Sequence, residues 1–128
     1  GTGSLGFEAL SRGAKEVIFI EKQKSLCNSI EDIAKQLGIK KKCRIINANS
    51  TSINFNNLND KFDLIFLDPP FDLIDYKILI RAIFKSNVLN EEGKIFLESN
   101  KHTSLEMSKT QDILKDKTVG DVRLMILQ

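Results

Sequence analysis

The sequence predicts an α/β fold: a mostly parallel sheet that closes on a C-terminal antiparallel hairpin. Three observations predict it. Short β-branched runs alternate with stretches of helical periodicity, one run is apolar almost throughout, and a glycine-rich turn opens the chain. Strand–helix alternation implies βαβ units with right-handed crossovers. A strand apolar on both faces is expected where helices cover both sides of a sheet.

The elements follow in order. Gly1, Gly3 and Gly6 form a turn with no strand before it. In doubly wound sheets such a turn follows the central first strand, so either that strand is missing or the sequence is a fragment, and a fragment is the expectation. Residues 16–20 (EVIFI) read as a strand after the turn-forming Arg12-Gly13. Leu26, Ile30, Ile33, Ala34 and Leu37 then recur at helical spacing, and Gly38 supplies a C-terminal cap. Residues 43–47 (CRIIN) are the next strand, ahead of an Asn-rich loop, and residues 62–67 (FDLIFL) are the buried one. A helix over 75–85 turns Leu79, Ala82 and Ile83 inward, and Glu92-Gly93 turns the chain into a strand at 94–98. A short helix at 105–109 is weakly signalled. The hairpin pairs Ile113-Leu114 with residues 122–127 around Gly120-Asp121.

With 128 residues the chain is read as one domain, residues 1–128. A hydrophobic fraction of 41% and a charged fraction of 28% suit a globular protein. No apolar run approaches the roughly 18 residues of a membrane span, and the start lacks a secretory pattern. Cys27 and Cys43 fit no metal spacing or disulfide framework, so reduced thiols, small packing roles and a cytoplasmic location are expected. A net charge of +2 does not argue for nucleic acid, and the run Lys40, Lys41, Lys42 and Arg44 reads as a solvated loop. His102, the only histidine, reads as a surface residue, and Tyr76 as core. No metal site is expected.

Two motifs carry chemistry. Gly1, Gly3 and Gly6 satisfy G-x-G-x-x-G, and Glu21 lies twenty positions after Gly1. Glycines let the backbone approach a ligand, and the following helix N-terminus offers free N–H groups. An acid ending the next strand can accept hydrogen bonds from both ribose hydroxyls. This pattern is shared by dinucleotide enzymes and methyltransferases; its bland reading is a strand-to-helix turn beside a surface glutamate.

The second motif, Asp68-Pro69-Pro70-Phe71, directly follows the buried strand. Two prolines hold an extended turn whose carbonyls have no competing N–H nearby. Asp68 and the Pro69 carbonyl can accept the two N–H bonds of an exocyclic base amine while Phe71 stacks on the ring. An aromatic amine is a poor nucleophile because its lone pair is delocalised, and two acceptors on its hydrogens favour a more localised pair. Positioning then supplies much of the rate enhancement. Against this stands a proline turn closing a strand, with Phe71 as packing.

The block from Gly1-Thr2-Gly3-Ser4-Leu5-Gly6 to Ala14, the strand ending in Glu21-Lys22, the Asp68–Phe71 segment and the Gly120-Asp121 hairpin together resemble the bacterial RsmD family of 16S ribosomal RNA guanine-N2 methyltransferases. The resemblance covers essentially the whole chain. It implies a class I, Rossmann-like, seven-stranded sheet and S-adenosylmethionine as cofactor. Gly1, Thr2 and Gly3 would bind its amino-acid part, Glu21 its ribose, and Asn49 would sit beside its adenine. Asp68, Pro69, Pro70 and Phe71 would receive the guanine amine of 16S ribosomal RNA or of a small-subunit assembly intermediate, the protein acting as a monomer away from membranes. Family members carry an N-terminal RNA-binding extension and a first strand that this sequence lacks. The alternatives are an adenine-N6 or other nucleobase-amine methyltransferase on DNA or RNA, an NAD-dependent oxidoreductase, and a non-catalytic RNA-binding remnant.

Overall fold

The computed structural model describes residues 2–68, 76–105 and 111–128. The chain divides into two compact units, Gly1–Ile53 and Asn54–Gln128.

The first unit holds α1 (Ser4–Ser11), β1 (Val17–Glu21), α2 (Lys24–Gln36), a short 3-10 turn (Lys40–Lys42) and β2 (Cys43–Asn47). Gly3 caps α1 from a left-handed conformation, φ +79°, and its carbonyl accepts the Phe7 N–H at 3.0 Å. A side chain at that φ would be strained, so glycine is what lets the chain enter the helix this way. β1 and β2 pair in parallel from Val17↔Cys43 to Glu21↔Asn47. The strand expected at 16–20 is shifted by one residue, which makes Glu21 its last paired position.

Phe19 packs its ring 5.2 Å from that of Phe7. Cys27, Ile30 and Ala34 form the buried stripe of α2. Ile33 and Leu37, expected to face inward, remain 36% and 59% exposed. Among the described residues of this unit the sheet is the pair β1–β2. Lys40, Lys41 and Lys42 are exposed, and Lys40 pairs with Glu31 at 3.1 Å.

The second unit holds a 3-10 turn (Phe55–Leu58), β3 (Phe62–Leu67), α3 (Tyr76–Lys85), β4 (Leu89–Asn100), β5 (Ile113–Val119) and β6 (Val122–Leu127). Its sheet runs β3-β4-β6-β5, with β3 parallel to β4 and both contacts of β6 antiparallel. The expected hairpin is present, and β6 rather than β5 docks against β4. Ile95, Leu97, Met125 and Leu127 are fully buried, and Tyr76, Leu79, Ile80 and Ile83 form the buried face of α3. Ile80 thus takes the inward place expected of Ala82, which is half-buried.

Two expectations need correction. β4 begins at Leu89, and Gly93 lies inside it. The register jumps from Phe62↔Leu89 to Leu64↔Lys94, so the Glu92-Gly93 pair sits in a bulge, where a Gly93 Cβ would meet the Phe62 carbonyl at 2.8 Å. β3 is also less covered than its apolar run implies, because Asp63 and Leu64 are exposed. Asp63 accepts a hydrogen bond from Asn90 Nδ2 at 2.7 Å. The weak helix expected at 105–109 falls largely outside the described residues. Among the described residues no helix is long and apolar enough to cross a membrane.

Candidate active site

In the first unit, the strand-end acid is held by its neighbours. Glu21 Oε1 accepts the Gln23 N–H at 2.8 Å. The Glu21 carbonyl accepts from Ala48 N–H at 3.1 Å, Asn47 Nδ2 at 2.9 Å and the Cys27 thiol at 3.3 Å. Asn47 Nδ2 also donates to the Lys22 carbonyl at 2.8 Å. One amide therefore ties the end of β2 to the turn that follows β1. The sequence shows Asn47 only as the end of a strand, because its pairing with Glu21 is set by the β1–β2 register. Cys27 is buried as expected, and its thiol bond adds to the same anchor.

Gly3 lies close to side chains of β1 and α2. A Cβ on it would meet Phe19, Ile30 and Phe7 side-chain atoms at 3.1–3.2 Å. Thr2 bonds its hydroxyl to that of Ser4. Asn49 lies in the turn after β2, and its Oδ1 accepts from the Thr51 N–H at 3.1 Å and the Thr51 hydroxyl at 2.8 Å. Its side-chain carbonyl thus shapes the loop. Gly1 lies outside the described residues.

In the second unit, Asp68 directly follows β3. Its carboxyl is raised above the usual aspartate value by partial burial, although the residue as a whole is exposed. Tyr76 opens α3, is 3% exposed, and donates its hydroxyl to the Glu98 carbonyl at 3.1 Å. Burial, then the charges of Asp68 and Glu98, push the Tyr76 hydroxyl up to about 12. It therefore stays a proton donor at neutral pH. Glu98 is itself raised, by burial and then by the Asp68 charge. Asp68, Tyr76 and Glu98 thus form one electrostatic cluster at the carboxyl ends of β3 and β4. Sequence reading named Asp68, placed Tyr76 in the core and missed Glu98. Pro69, Pro70 and Phe71 lie outside the described residues.

Two shallow depressions of about 270 and 230 Å³ lie in this unit, around Asn56–Asn59–Asn87 and around Phe84–Asn90–Gln128. Neither is lined by a candidate residue. No group of described residues could hold a metal ion, and His102 is exposed.

A family profile described as "Conserved hypothetical protein 95" matches residues 1–128. The ribosomal RNA small subunit methyltransferase D of Haemophilus influenzae is 35% identical over 130 residues, covering 100% of this chain and 67% of its own length. Its Escherichia coli K12 namesake is 27% identical, covering 100% of this chain and 64% of its own. The chain thus spans about two thirds of the length of these curated relatives. A crystal structure from Haemophilus influenzae superposes with a TM-score of 0.88 at 35% identity, covering 100% of this chain and 81% of that one. A ribosomal protein L11 methylase from Lactobacillus delbrueckii shares the fold, with a TM-score of 0.73 at 19% identity over 100% of this chain and 65% of that one.

Proposed function

The chain belongs to the conserved hypothetical protein 95 family, and on that footing we propose that it is the S-adenosylmethionine-binding part of an rRNA methyltransferase. The reaction transfers a methyl group to the exocyclic N2 amine of a guanine in 16S ribosomal RNA, in the cytoplasm. The observation that carries this reading is the place of Asp68. It directly follows a parallel strand and stands immediately ahead of two prolines and an aromatic in the sequence, with its carboxyl raised by partial burial.

The residues of the first unit fit the cofactor. Gly3 brings backbone into close reach at the start of α1, and the first N–H groups of that helix have no partner within it. The Glu21 carboxylate, anchored at the end of β1, accepts hydrogen bonds from ribose hydroxyls. Gly1 and Thr2 are the proposed partners of the cofactor's amino-acid part, and Asn49 would sit beside its adenine. When bound, the cofactor's sulfonium supplies an electrophilic methyl group.

The second unit prepares the nucleophile. On this reading Asp68 and the Pro69 carbonyl would accept the two amine N–H bonds, and Phe71, next to Pro70 in the sequence, would stack on the base. Held this way, the amine nitrogen presents its lone pair along one direction. As the amine nitrogen takes the methyl carbon, the carbon–sulfur bond would break with its electron pair left on sulfur as a neutral thioether, and the nitrogen would give up one proton, which Asp68 would receive and pass to solvent. No prior deprotonation is needed.

Titration calorimetry tests the cofactor class. The intact protein is expected to bind S-adenosylhomocysteine and to give no heat with NAD. The reverse result would move Gly3 and Glu21 to nicotinamide chemistry.

A further inference from the structure

Glu98 stands next to Asp68 across the β3–β4 pair. The parallel register ends at Leu67↔Leu97, so Asp68, the first residue beyond β3, and Glu98 each follow that pair, and the charge of Asp68 reaches Glu98. The neighbours of Glu98 within β4, Leu97 and Ser99, face the other way and are fully buried. Glu98 is only half-covered. The Tyr76 hydroxyl holds the Glu98 backbone carbonyl, which fixes the strand end without occupying the carboxylate. None of the ion pairs among the described residues includes Asp68 or Glu98. Two adjacent carboxylates raise each other's cost of ionisation, and such an arrangement is typical of positions kept for binding or catalysis.

We propose that Glu98 is a specificity-determining residue that accepts the ring N1–H of the target base and thereby selects guanine. The inference rests on the reading of Asp68 as the acceptor of the exocyclic amine. Asp68 alone cannot choose among bases, because adenine, cytosine and guanine all carry such an amine. The neighbouring ring position differs. In guanine it is a donor, N1–H, whereas adenine and cytosine place a bare nitrogen lone pair there. A second carboxylate beside the first meets two donors on guanine. On adenine or cytosine it meets one donor and one repelling lone pair. A site built to accept an N–H discriminates strongly against analogues that lack it, because the acceptor is then left without a partner.

The probe is 2-aminopurine, which keeps the 2-amine of guanine and has a lone pair at N1. The methylated position in small-subunit ribosomal RNA is mapped first with the intact protein. Two synthetic RNAs then carry guanine or 2-aminopurine at that position. The wild type is expected to show a kcat/KM at least tenfold higher for guanine. Glu98→Gln can donate to a lone pair as well as accept an N–H, and is expected to narrow that preference to below threefold. Its affinity for S-adenosylhomocysteine should stay within twofold of wild type, which separates a specificity role from lost folding. A wild type that uses both RNAs equally overturns the role of Glu98 without any variant. So does a Glu98→Gln protein that keeps the full preference. If the mapped base is adenine or cytosine, the guanine reading falls and the inference falls with it.

Discussion

The Phe19 ring of β1 occupies the space that a side chain on Gly6 of α1 would need. A Cβ there would lie 2.7 Å from Phe19 Cζ and 3.0 Å from Val17 Cγ1. The helix therefore rests directly on the strand that carries Glu21 at its end. Gly6→Ala must push α1 outward or move the ring. Such overpacking costs about 1–3 kcal/mol. Urea denaturation should show the loss, and an unchanged midpoint would mean that α1 is free to shift.

Glu21→Ala should weaken S-adenosylmethionine binding by about 1–3 kcal/mol, the worth of charge-assisted bonds to ribose hydroxyls. Asn47→Ala should weaken it less, because Asn47 acts by holding the carbonyls of Glu21 and Lys22. Calorimetry ranks the two. Wild-type affinity in Glu21→Ala would remove this residue from the cofactor site.

Asp68→Ala should lower kcat by roughly 100-fold, as expected when one acceptor aligned with a reacting group is removed, while cofactor affinity is retained. The pH profile has a fixed sign. Asp68 accepts the amine only when ionised, so kcat should fall as acid protonates it. Because burial raises its carboxyl, that fall should begin above the pH at which an ordinary aspartate titrates. Turnover flat down to the ordinary aspartate range would contradict the role.

Asp116 and Arg123 form a two-bond pair across the hairpin, with Nε–Oδ1 at 2.9 Å and Nη2–Oδ2 at 2.6 Å. The guanidinium bond, against a smaller effect of burial, holds the Asp116 carboxyl below its usual value. A depressed folded-state pKa stabilises the protein above the unfolded pKa, and the gain is lost as pH falls through the folded one. The pair is partly exposed, so Asp116→Asn should cost only about 0.5–1 kcal/mol at neutral pH. Denaturation at neutral and acidic pH should show the difference between variant and wild type shrinking in acid.

Much of this was legible in the sequence where local pattern decides. β2 and β3 have the bounds their apolar runs imply, and the hairpin turns at Gly120-Asp121. Long-range pairing was not legible. Gly93 looks like a turn and becomes a bulge because β4 must follow β3 past Phe62. Ile33 and Leu37 keep helical spacing but are exposed, whereas Cys27, Ile30 and Ala34 of the same helix are buried. Glu98 showed nothing locally, since only the Leu67↔Leu97 register brings it beside Asp68. The Tyr76 bond to its carbonyl spans 22 positions. Asn47 was hidden for the same reason, being 26 positions from the carbonyl of Glu21.

The most direct measurement is nucleoside mass spectrometry after methyl transfer. The intact protein is incubated with S-adenosylmethionine carrying an isotopic methyl group and with small-subunit ribosomal particles or naked 16S RNA from cells lacking the enzyme. The RNA is then digested and its nucleosides resolved. The account predicts label in N2-methylguanosine, lost in Asp68→Ala while cofactor still binds. Label in N6-methyladenosine, or no label in RNA from a protein that binds the cofactor, would contradict it.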